Sequence, residues 1–125
     1  MDREIIYGNP IGKANHYMAV PDTANGGKRI ILDDVYRAYQ RSFIQQCTIY
    51  KGRNIDRPFI FFMHAWLRTS TQDVDNIVKS VLDLLQDVHA ITNDNLCIEV
   101  HAVKHVDPVR PRIEFGILEL EPRLF

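Results

Sequence analysis

Two cysteines, one tryptophan and a formal net charge of only −1 are what this 125-residue sequence has least of. Cys47 and Cys97 lie far apart, each inside an apolar pattern. That excludes a disulfide framework or a zinc spacing and predicts two buried free thiols. No run approaches the roughly 18–20 apolar residues of a membrane span, and no secretory apolar stretch follows the charged Met1-Asp2-Arg3-Glu4. A cytoplasmic protein that makes no membrane contact is expected. Near-zero net charge gives no argument of its own for a nucleic-acid partner. Internal repeats and low-complexity segments are absent as well.

What is present suits one compact unit. A hydrophobic fraction of 46% in 125 residues supports a single core, so one domain over residues 1–125 is expected. The charge is unevenly spread, with nine Lys/Arg against six Asp/Glu in residues 1–60 and six against ten in residues 61–125. A basic half that holds phosphates and an acidic half that holds metal would produce this, and so would a mixed solvated surface.

The periodicities predict an α+β fold, a mixed β-sheet with two principal helices packed on it. Glu4 to Tyr7 reads as a short strand stopped by Gly8-Asn9-Pro10, and Lys28 to Leu32 as a second. Between them, Gly12 to Gly27 reads as irregular, with mobility centred on Gly26-Gly27. Asp33-Asp34 opens a helix in which Tyr36, Tyr39, Phe43, Cys47 and Tyr50 recur at helical spacing. Pro58 opens the run Phe59 to Leu67, expected to be a central strand covered on both faces. From Asn76 to about Val88, Ile77, Val81, Leu84, Leu85 and Val88 share one face of a second helix. Ile98, Val100 and Ala102 then alternate as a half-exposed strand, and Arg112 to Leu120 forms the last.

The chemistry concentrates at the start of the second helix. Asp75 stands where an N-cap is expected, and a lone Asp there has a plain structural role. Asp73, two residues earlier, weakens that explanation, because one cap does not need two acids. Clustered carboxylates repel each other, whereas a divalent cation favours both ionised forms. Lys79, four residues after Asp75, points back toward the helix start. It forms either a helix pair or a contact to a phosphate. Asp83 lies a further turn on, within reach of Lys79. Asp94 sits in a Thr-Asn-Asp-Asn turn, and spacing alone does not bring it to the same end of the sheet.

Asp73-x-Asp75-Asn76-x-x-Lys79-x-x-x-Asp83-x-Leu85, followed by Asn93-Asp94 and a β pattern, resembles the RusA family of Holliday junction resolvases. The resemblance is strong from Asp73 to Asp94 and looser before it. It implies an endodeoxyribonuclease that resolves four-way DNA junctions by paired symmetrical nicks in recombination and repair. It also implies a homodimer in a bacterial or phage-infected cell. Asp73, Asp75 and Asp94 would hold Mg²⁺, for which Mn²⁺ could substitute, and Lys79 would assist at the phosphate. Asn76 and Asp83 would orient those groups. Some members carry two adjacent acids where this chain has Asn93-Asp94. The resemblance also turns Asn15, His16 and Tyr17 toward DNA, and Lys13, Lys28, Arg29, Arg37, Arg41 and Arg68 are the candidate phosphate contacts.

Two other readings stay open, a related nuclease selective for flaps or forks and a non-catalytic junction-binding dimer. His64 is expected to be a hydrogen-bonded core residue, with His101 and His105 decorating an exposed strand face rather than holding zinc. Leu124 and Phe125 are expected either to contribute to a dimer surface or to fray.

Overall fold

Strand β4 (Phe59–Leu67) organises the molecule. In the computed structural model, which describes residues 1–121, it lies in a sheet with β1 (Glu4–Tyr7), β5 (Cys97–Val106) and β6 (Arg112–Glu119). The order of the four strands is β1-β6-β4-β5. β6 runs antiparallel to both β1 and β4, while β5 runs parallel to β4, so the sheet is mixed as expected. Helices α1 (Asp34–Gln46) and α2 (Val74–Asp87) complete the α+β fold. Leu124 and Phe125 lie outside the described residues.

Alternation along β4 decides where the core sits. Phe59, Phe61, Met63, Ala65 and Leu67 are buried, and Phe43 of α1 and Phe61 both lie within about 6 Å of the Phe115 ring. Ile77, Val81, Leu84 and Leu85 of α2 join the same cluster, so both helices cover one face. The expectation that β4 is covered on both faces is therefore corrected. Ile60, Phe62, His64 and Trp66 point the other way, and neither described α-helix lies on them; His64 is exposed, not a core residue. Cys47 is buried, whereas Cys97 is half-buried. No described helix is long and apolar enough to cross a membrane.

Three local readings also change. Tyr17–Pro21 forms strand β2, paired antiparallel with β3 (Lys28–Leu32), so this segment is not irregular. The hairpin turns where Asp22 Oδ1 accepts from the N–H groups of Ala24 and Asn25, and Gly26 and Gly27 take φ of 75° and 71°. Alternation could not reveal β2, because its residues are mostly exposed on both faces. α1 ends at Gln46, and Tyr50 is buried from the turn beyond it: its hydroxyl donates to Asp2 O and accepts from Ile117 N–H. α2 begins at Val74, which puts Asp73 at the N-cap and Asp75 inside the first turn.

Glu4 holds the post-helix turn. Its buried carboxylate accepts from Ile49 N–H (2.8 Å), Tyr50 N–H (3.2 Å) and the Cys47 thiol. Burial, reinforced by that carboxylate, pushes the Cys47 thiol up to about 12. Glu4→Ala strands two backbone donors and should cost about 2–3 kcal/mol in urea unfolding. Glu4→Gln, which keeps an acceptor oxygen, should lose clearly less.

Candidate active site

The parallel pairing of β4 with β5 means that α2 must carry the chain back along the sheet between them. Asp73 and Asp75 therefore start α2 beyond the end of β4, whereas Asp94 follows α2 and precedes the start of β5. The 14 residues of α2 span about 20 Å at 1.5 Å per residue, so Asp94 lies a helix length from Asp75. Asp94 is anchored there, its N–H donating to Gln86 Oε1 at 2.5 Å. Among the described residues, no group of three or more His, Cys, Asp or Glu is placed to hold a metal ion. The Asn93 side chain caps its own turn by accepting from Asn95 N–H.

The two acids at the helix start are arranged differently from ordinary caps. Asp73 occupies the N-cap position, yet its carboxylate makes no cap hydrogen bond. The Asp75 carboxylate has no hydrogen-bond or ion-pair partner among the described residues, and both residues are exposed. Two free carboxylates at one helix start suit a hard cation such as Mg²⁺, which takes one or two protein carboxylates and leaves its other positions to water and phosphate oxygens.

Lys79 is exposed one turn into α2, and the N-terminal segment is docked beside it. Gln72 accepts from Gly12 N–H and donates to Pro10 O, and Ser80 Oγ accepts from Lys13 N–H. Lys13 Nζ pairs with Asp83 at 3.1 Å, so Asp83 answers Lys13 rather than the expected Lys79. Lys13, Tyr17, Asn76, Lys79 and Asp83 consequently line one cavity of about 310 Å³. The Tyr36 hydroxyl is buried without a partner among the described residues; burial, then Asp83 and Asp87, push its pKa up. Gln72, Ser80 and Gly12 were missed from sequence, where a polar residue on a helix or loop carries no sign of what docks on it.

The remaining candidates are dispersed. Asn15 is exposed on a short 3-10 turn, and His16 Nδ1 bonds Asp33 Oδ2 at 2.8 Å. Asp33 also caps α1 by accepting from Tyr36 N–H; that bond, then His16, hold its carboxyl below the usual range. Arg29 and Arg37 flank a second hollow of about 400 Å³ with Gln40. Lys28, Arg41 and Arg68 are exposed elsewhere.

A family model described as Endodeoxyribonuclease RusA matches residues 7–117. A protein of Aquifex aeolicus (strain VF5) named crossover junction endodeoxyribonuclease RusA is 30% identical over 99 residues, which cover 78% of this chain and 75% of the relative.

Gly12 provides a test of the Asn76 position. A Cβ at Gly12 would fall 2.2 Å from Asn76 Nδ2, so Gly12→Ala must swing that amide away from the helix start. The substitution should leave circular dichroism unchanged and slow DNA cleavage about tenfold, the size of a lost positioning contact of 1–2 kcal/mol.

Proposed function

The chain belongs to the RusA family of endodeoxyribonucleases, and from that premise we propose that it resolves four-way DNA junctions as a metal-dependent homodimer, making paired, symmetry-related nicks. The observation that carries the reading is the pair of carboxylates at the start of α2, exposed and free of structural partners. Mg²⁺, with Mn²⁺ as a substitute, is the cofactor these oxygens suit.

Asp73 and Asp75 would hold the metal, which when bound supplies an activated water and neutralises charge at the phosphate. Lys79 reaches the same phosphate and stabilises the charge that develops as water adds and the leaving oxygen departs. Asn76, packed against Gly12, orients groups at the helix start. Lys13 and Tyr17 form the wall of the cavity that DNA would follow.

Asp94 joins this site only from a second copy. The free edge of β5 is the surface suited to that copy: Ile98, Val100, Val103 and Val106 are all exposed on it. Two β5 edges paired antiparallel about a two-fold axis put the beginning of one strand beside the end of the other. Asp94 of the partner subunit then approaches the sheet end from which Asp73 and Asp75 project. A two-fold dimer also matches a nearly two-fold junction.

The test is cleavage of a labelled four-way junction in Mg²⁺ beside linear duplex, flap and fork. Paired nicks in the junction are expected, and preferential cutting of flap or fork would replace the substrate. Asp75→Asn should abolish cleavage with folding nearly unchanged. Lys79→Ala should lower turnover about a hundredfold while junction binding changes little; equal loss of both would make Lys79 a docking residue.

A further inference from the structure

We propose that the bare face of the sheet is a stacking site for unpaired DNA bases. This rests on the chain acting on branched DNA, whose crossover offers bases that can unstack. Register pairs Phe62 with His101 and Trp66 with His105 across β4 and β5, and Trp66 with Arg112 on β6. Their rings form two rows. In one, the Arg112 guanidinium lies 4.0 Å from the Trp66 ring centre, Trp66 lies near-parallel to His105 at 4.8 Å and 17°, and His64 continues the His105 plane edge to edge, their centres 5.1 Å apart and 10° from parallel. In the other, Phe62 stacks on His101 at 5.0 Å and 12°. His64 Nδ1 and His105 Nε2 lie 2.8 Å apart, a hydrogen bond that holds their rings in line.

None of these rings contributes to the helix-side core, and a fold with one covered face needs only polar residues here. Beside them opens a cavity of about 570 Å³, with Phe62, His64, Trp66 and His105 on one side and residues 1–3 on the other. Gly116 makes that far wall possible, since a Cβ there would fall 2.9 Å from Asp2 O and Met1 Sδ. The cavity is of small-molecule size, large enough for a nucleobase.

A flat heteroaromatic ring is an occupant that can lie on the outward faces and edges of these rows, whose members stand too close for a ring to enter between them. Exposed Arg3 at the rim, 3.4 Å from Glu114, can meet the adjoining phosphate. A four-stranded sheet with aromatic side chains on its open face is also a physical solution to gripping single-stranded nucleic acid. The rings run up to Trp66, one residue before β4 ends. Lys104 Nζ there donates to the carbonyls of Ser70 and Gln72, in the loop that delivers Asp73. Base stacking and phosphate cutting thus fall on two sides of the same sheet end.

Trp66, the one tryptophan of the chain, reports directly on occupancy. Asp75→Asn protein in EDTA, which cannot cut, is titrated with a single-stranded oligothymidylate, the four-way junction and a linear duplex. Saturable quenching of Trp66 emission by the first two, stronger than by duplex, is expected. His101→Ala and Phe62→Leu, the latter keeping apolar bulk, should each weaken oligothymidylate binding roughly five- to a hundredfold, the range for one lost stacked base. No quenching, or full affinity in both variants, overturns the proposal. Emission that changes with protein concentration alone also overturns it, by showing a second copy on this face. Because cleavage is scored separately in unsubstituted protein, loss of stacking with cutting intact leaves the resolvase reading standing, and the converse leaves this one.

Discussion

The parallel pairing of β4 with β5 is the constraint on which the rest of the structure depends. Parallel neighbours need a crossover, and α2 is that crossover, laid on the sheet by Ile77, Val81, Leu84 and Leu85. The same connection fixes the chemistry. It sends Asp73 and Asp75 to one end of the sheet and Asp94 to the other, a separation no side-chain rotation can close. A fold that is complete as a hydrophobic unit is thus incomplete as a three-aspartate site. The proposed three-aspartate chemistry therefore calls for the proposed homodimer, which a nearly two-fold substrate would also suit.

Around that frame, the polar interactions divide into those that position and those left free. Gln72, Ser80 and Asp83 spend their hydrogen-bonding capacity on the segment from Pro10 to Lys13, and Asp33 spends its own on α1 and His16. Asp73, Asp75 and Lys79 make no such bonds among the described residues and stay exposed. Carboxylates without partners at a helix start contribute little to folding, which is the expected condition of groups reserved for a ligand. The same contrast marks the two faces of β4: one is filled by helices, and the other carries ordered rings with no described helix over them.

Much of this was legible in the sequence, for identifiable reasons. Helix α2 announced itself through 3.6-residue periodicity, and β4 through its apolar run. The acid-amide-lysine spacing marked the candidate site and, through family resemblance, the family that the comparisons show. β2 was hidden because strand alternation exists only where one face is buried, and Tyr17–Pro21 has no such face. Phe62, His64 and Trp66 misled in the opposite sense, since aromatic residues on both faces of a strand read as burial on both. The Lys13–Asp83 pair spans 70 positions and depends on a docking that no local pattern encodes. Asp94's displacement depends on strand direction, which periodicity does not carry.

Subunit complementation tests the central claim most directly. Asp75→Asn and Asp94→Asn chains, carrying different tags, are coexpressed, and the mixed dimer is purified and assayed on a labelled four-way junction with both parent homodimers. If Asp94 completes the partner's site, both homodimers are inactive. The mixed dimer then gathers both substitutions into one site, leaves the other intact, and makes single nicks. A mixed dimer as inactive as its parents would contradict the shared site and return Asp94 to its own chain.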